Sequence, residues 1–232
     1  MRQRRVEAIR DAMSRSRYVE IRGEAGVGKS GVLRRLAEDL SAEAQVLVLS
    51  PNRVIQRGWL SMKAAIGYEG SGRDLMNDLS LSGAAVVFID SLDFFAAEEK
   101  TSVRDIVRFA AQVPDIWVIA TARVEFAKTE PNWLPDDALM SLGQTDPVLI
   151  EELDDTEVNE LKERAHRLSE LLSDSHPAQA IVRTSSGYHA WRIVPIPISG
   201  QLPKRRWPSS GGIWLMAGVT VDCVTDPALS AG

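Results

Sequence analysis

The chain has a single cysteine, Cys223, and only three histidines, His166, His176 and His189, among 232 residues. One cysteine excludes an internal disulfide framework and a cysteine-rich zinc site, and the histidines show no metal-ligand spacing. Long apolar runs are also missing. No stretch approaches the roughly twenty uninterrupted apolar residues that a membrane span needs. The first residues, Met1-Arg2-Gln3-Arg4-Arg5-Val6-Glu7, lack an apolar signal core. The protein therefore reads as cytoplasmic, with no membrane partner. Basic charge is scarce as well. The formal net charge is −5, and residues 1–176 hold 22 Lys and Arg against 30 Asp and Glu, a net of −8. Nucleic-acid binding needs a basic face, so an acidic core makes DNA or RNA a poor partner. The arginines at 2, 4, 5, 10, 15 and 17 read as solvated helix charge.

What is present is enough for a sizeable core. With 44% hydrophobic and 25% charged residues, the length fits one α/β domain with a small appendage. Residues 23 to 30 read Gly-Glu-Ala-Gly-Val-Gly-Lys-Ser, a complete GxxxxGK[ST] phosphate-binding loop. The short β-prone run Tyr18–Ile21 precedes it, and residues 31–40 follow with apolar positions at helical spacing. A triphosphate needs many donors and a close backbone approach, which the glycines allow. The amides from Ala25 to Ser30 can curl into an anion-binding nest, with the positive end of the next helix behind them. Gly23, Glu24, Ala25, Gly26, Val27, Gly28, Lys29 and Ser30 are thus the candidate nucleotide-binding residues. Lys29 would reach the β and γ phosphates, and the Ser30 hydroxyl has the right length to ligate magnesium.

The remaining pattern alternates strand and helix. Residues 4–15 suit an amphipathic helix with Val6, Ile9 and Met13 on one face. Gln45–Leu49 suits a second strand stopped by Ser50-Pro51-Asn52. Residues 53–82 are the least legible part, with a helix expected over Arg73–Leu81. Ala84–Asp90 is a continuous apolar run ending in a carboxylate, as expected of a buried parallel strand. Asp90 would then meet the loop's magnesium, because ligands in open α/β sheets bind beyond the carboxyl ends of the strands. Val103–Ala111 suits a helix and Ile116–Thr121 another buried strand. Val148–Ile150 closes the set of strands. The run Asp154–Glu157 then caps a helix whose apolar stripe is Val158, Leu161, Ala165, Leu168 and Leu172.

Over roughly residues 5 to 175 these elements resemble the STAND division of the P-loop ATPases, AAA+ relatives that include the NACHT and NB-ARC switches. The likeness rests on GEAGVGKS at 23–30, VVFIDSLDFF at 86–95 and VIATAR at 118–123, followed by VLIEELDDTEVNEL at 148–161. It implies a three-layer α/β/α sandwich with a five-stranded parallel sheet ordered 5-1-4-3-2. It also implies ATP and Mg²⁺ as ligands, with Asp93 as a second acid that orients the attacking water. Thr121 and Arg123 match a polar pair reading the γ-phosphate end. Ser91 stands where fast AAA+ motors carry glutamate, which implies slow turnover. The implied role is a switch, with a protein partner or self-association through this domain. Asp93 reads equally as a helix-capping acid, and Arg123 as a surface ion pair.

The tail differs abruptly. From Pro177 to Val221 there is no Asp or Glu, and the last 56 residues hold three of six tryptophans and six of eleven prolines. We expect a domain over residues 1–175 and an irregular tail over 176–232, either disordered or derived from an altered reading frame, so that the chain reads as truncated after its core. Two alternatives to an ATP-dependent switch stay open. One is a DNA-linked AAA+ ATPase of the origin-recognition type, which would need a basic face; the other is a non-enzymatic nucleotide-binding fragment.

Overall fold

The computed structural model describes residues 3–41, 43–81, 83–125, 132–164 and 214–216. Its strands are β1 (Tyr18–Gly23), β2 (Gln45–Leu49), β3 (Ala85–Ile89), β4 (Ile116–Arg123), β5 (Val148–Leu149) and β6 (Trp214–Met216). The helices are α1 (Gln3–Arg15), α2 (Lys29–Leu40), α3 (Trp59–Ile66), α4 (Gly72–Ser80), α5 (Ala97–Ala111), α6 (Asp136–Leu142) and α7 (Asp155–Arg164). A 3-10 turn covers Leu92–Phe94.

The sheet runs β5-β1-β4-β3-β2-β6. Its first five strands are parallel, in the order expected from the sequence. The sixth is an addition: β6 lies antiparallel on the outer side of β2, with Leu47 opposite Leu215. A three-residue strand therefore stands within the segment expected to be irregular. The 175/176 boundary, Cys223, the three histidines and the stripe beyond Leu161 lie outside the described residues.

Helices cover both faces, which explains why β2 and β3 read as unbroken apolar runs. Alternate residues feed two cores. Val19, Ile21, Val46, Val48, Val86, Phe88 and Ile119 pack with Val6 and Ile9 of α1 and Val32, Leu33 and Leu36 of α2. Leu47, Leu49, Val87, Ile89, Val118 and Ala120 face the other way, toward Met62 of α3, Met76 of α4, Ile106 of α5 and Leu139 of α6. Burying each Val, Leu, Ile, Phe or Met among these contributes roughly 1.5–3 kcal/mol, so both layers hold the strand ends in place.

Several boundaries shift from expectation. α5 begins at Ala97 rather than Val103, and α3 and α6 were not foreseen. The start of α5 has a local cause: Glu99 reaches back to accept from the Ala96 amide at 2.9 Å, satisfying an otherwise unpaired donor. At α7 the expected cap forms, with Asp154 Oδ1 accepting from the Glu157 amide at 2.8 Å and Glu157 Oε2 accepting from the Asp154 amide at 3.2 Å. Among the described residues no helix is long and apolar enough to cross a membrane.

Candidate functional site

The loop at 23–30 turns from β1 into α2 through two left-handed glycines, Gly26 at φ 81° and Gly28 at φ 90°. A side chain at either would be strained. Gly23 is required by crowding instead: a Cβ there would collide with the Ile150 carbonyl oxygen and come within 2.8 Å of Val27 Cγ2. Val27 is buried and pins the crown of the loop. α2 then begins at Lys29 with no side-chain cap, so its first amides open into the loop.

Lys29 folds back over the loop, its Nζ donating to the carbonyls of Gly23 and Glu24 at 2.8 Å each. Burial lowers its pKa below the ordinary lysine value. Nearby Asp93 opposes that shift, Arg123 adds to it, and Asp90 and Glu24 oppose it. Lys29 is thus a half-desolvated cation under the influence of three carboxylates and an arginine.

Asp90 follows the last residue of β3 and is buried. Three hydroxyls converge on its Oδ1: Thr121 donates at 2.7 Å, Ser30 at 3.0 Å and Ser91 at 3.4 Å. The Thr121 oxygen in turn accepts from the Ser91 amide at 2.7 Å. Ser91 holds φ 62° and ψ 63°, a left-handed conformation unusual outside glycine. Such a residue costs about 1–3 kcal/mol, held here by the surrounding bonds. Thr121, expected with Arg123 to read the γ-phosphate end, has its hydroxyl bonded to Asp90. Only the neighbouring strand positions, invisible before the register is known, could have shown this.

Asp93 lies on the 3-10 turn, and its Oδ2 is 2.9 Å from Arg123 Nε. That contact is an ion pair without an aligned hydrogen bond, because the buried Oδ2 has no donor meeting hydrogen-bond geometry. Arg123 ends β4, directly opposite Gly23 in the ladder. Its guanidinium lies over the Phe94 ring, 4.3 Å from the centroid. Phe94 was not singled out in the sequence.

Lys29, Ser30, Asp90, Asp93, Thr121 and Arg123 therefore gather around the carboxyl ends of β1, β3 and β4. Ser30 and Asp90 present hard oxygen donors only, which suits Mg²⁺ with most of its shell from phosphate and water.

A parallel 5-1-4-3-2 sheet with a GxxxxGK[ST] turn between β1 and α2 is the P-loop NTPase fold. No family model matches the chain, and no curated protein does. Among solved structures it is similar to the Walker-type ATPase PABY2304 of Pyrococcus abyssi, with TM-score 0.47 and 15% identity over 78% of this chain and 62% of that one. It is also similar to Cdc6p from Pyrobaculum aerophilum, with TM-score 0.47 and 15% identity over 72% of this chain and 49% of that one. A third is the ORC1 protein of Aeropyrum pernix, solved in complex with DNA, with TM-score 0.47 and 15% identity over 79% of this chain and 57% of that one. The chain spans less than two thirds of the length of each.

Proposed function

We propose that this chain is a Mg-ATP-binding P-loop module of the STAND type, with slow hydrolysis and a nucleotide-dependent switching role. The observation that carries the reading is the Ser30–Asp90 hydrogen bond of 3.0 Å, which joins the phosphate loop to the end of β3. It places an alcohol and a carboxylate side by side, next to a partly desolvated lysine. A bound magnesium would supply Lewis-acid neutralisation of the phosphate charge, held by Ser30 and Asp90.

The chain's own residues account for the remaining work. Backbone amides at the start of α2 and Lys29 bind phosphate oxygens. Thr121 fixes the Asp90 carboxylate, and Arg123 reads the terminal phosphate. Asp93 orients the attacking water once Arg123 is drawn away from it. Turnover is slow because Ser91 carries no carboxylate and Asp93 starts neutralised by its ion pair. ATP is preferred over GTP by the resemblance, and the sequence contains no Asn-Lys-x-Asp base reader. A protein partner or self-association through this domain completes the switch.

The test is Mg-dependent binding of fluorescent ATP and GTP analogues to the full chain, to Lys29→Ala and to Asp90→Ala, with phosphate release followed in parallel. Saturable ATP binding should fall at least about tenfold in Lys29→Ala, since a charge-assisted hydrogen bond is lost. Binding that ignores both substitutions would sink the reading.

A further inference from the structure

Phe94 is 55% exposed, one of the few large apolar side chains left to solvent among the described residues. Its exposure is not slack. The turn that carries it is fastened on both sides. Leu92 is fully buried and its carbonyl accepts from Trp133 Nε1 at 3.1 Å. Phe95 is buried edge-on against Trp133, with ring centroids 5.8 Å apart. The Phe94 amide itself donates to the Ser91 carbonyl at 3.0 Å. A backbone held this firmly presents the Phe94 ring at a fixed place, and Arg123 lies on it at 4.3 Å.

Two groups thus hold the guanidinium, and they differ in kind. Asp93 supplies charge at 2.9 Å but no aligned hydrogen bond, so it constrains the orientation of the guanidinium weakly. The ring supplies a flat face and no net charge, so it holds the guanidinium over that face without competing for an incoming anion. A terminal phosphate carries more charge and more acceptor oxygens than one carboxylate, and it can draw Arg123 from Asp93 while the ring contact persists. Position supports this: Arg123 is opposite Gly23, the first residue of the phosphate loop, and both Arg123 and Asp93 act electrostatically on Lys29.

We propose that Phe94 is a positioning residue that holds Arg123 over its ring, at the place from which it distinguishes a nucleoside triphosphate from a diphosphate. This rests on the nucleotide-binding reading above. The experiment measures affinities of the full chain for a non-hydrolysable Mg-ATP analogue and for Mg-ADP, in wild type, Phe94→Ala, Phe94→Leu and Phe94→Tyr, with thermal unfolding of each. Phe94→Ala should weaken the triphosphate about three- to tenfold, the range of a single cation–π contact, and leave the diphosphate unchanged. Tyrosine should restore the ratio; leucine, apolar but without a π face, should not. A ratio unchanged in Phe94→Ala, rescue by leucine, or an equal loss of both affinities with a lowered Tm overturns the inference alone. A wild-type chain that binds no nucleotide overturns the proposed function and the inference together.

Discussion

Thr121 is fully buried and its hydroxyl acts in both directions, donating to Asp90 and accepting from the Ser91 amide. Replacing it with valine keeps the shape and removes both bonds. The change leaves the part-buried Ser91 amide without that acceptor and withdraws the shortest donor from Asp90, which should cost about 2 kcal/mol of stability. Thr121→Ser, which keeps the oxygen, should cost under about 1.5 kcal/mol, the range of a small volume change. Urea unfolding of the two variants checks this, and equal losses would show that the methyl group matters rather than the hydroxyl. Lys29 leads to a pH prediction at the same scale. Burial holds its pKa below the ordinary 10.5, whereas a bound phosphate would favour its charged form. Binding therefore takes up a proton once pH exceeds the lowered value. Affinity should fall as pH rises through that lowered value, already below 10.5, and a titration of affinity against pH that stays flat to 10.5 in wild type would contradict it.

At the scale of elements, α5 organises the segment before it. Its Glu99 Oε1 accepts from the Asn52 amide at 2.7 Å, and its Ser102 Oγ accepts from the Gly58 amide at 2.8 Å. Asp105 Oδ2 accepts from the Trp59 amide at 2.8 Å, at the start of α3. Three successive turns of one helix thus satisfy the loop between β2 and α3. Glu99 is 2% exposed, and Glu99→Ala leaves the amides of Asn52 and Ala96 without it. The loss should be about 2–4 kcal/mol, seen as a lower urea midpoint with an unchanged slope. A loss below about 0.5 kcal/mol, the usual size of a surface change, would refute the bridging role. The same bonds explain what could be read in advance. β2 and β3 were legible because burial on both faces writes itself as continuous apolar sequence. The start of α3 was obscure because the amides of Gly58 and Trp59 are capped by α5, 44 and 46 residues away. α5 itself was read six residues short, since alanine at its N-cap carries no capping side chain and Glu99 acts alone. In the site, the loop and Asp90 stood out by motif and strand end. The Thr121–Asp90 and Phe94–Arg123 contacts depend on which strands become neighbours and how a turn folds, and neither has a local sequence signature.

At the scale of the whole molecule, the five parallel strands and seven helices of the described residues fall within 3–164, whereas the sixth strand comes from Trp214–Met216. β2 would otherwise be a sheet edge, and Val46, Leu47, Val48 and Leu49 are all buried. An apolar edge with unpaired amides is a template for association with another chain. Pairing Val46, Leu47 and Val48 with Met216, Leu215 and Trp214 covers that edge from within. The short run is apolar and uncharged, the composition that would itself aggregate if left free, so each strand protects the other. A chain ending at residue 175 should therefore keep its fold, because among the described residues both hydrophobic layers lie in the first 164. It should nevertheless self-associate at concentrations where the full chain does not. Sedimentation and light scattering over a concentration series, with nucleotide affinity measured alongside, distinguish the outcomes. Unchanged affinity with concentration-dependent association supports an edge-covering role for β6. A shortened chain that stays as dispersed as the full one would show that β2 needs no cover, and one that no longer unfolds cooperatively would make β6 part of the folding unit.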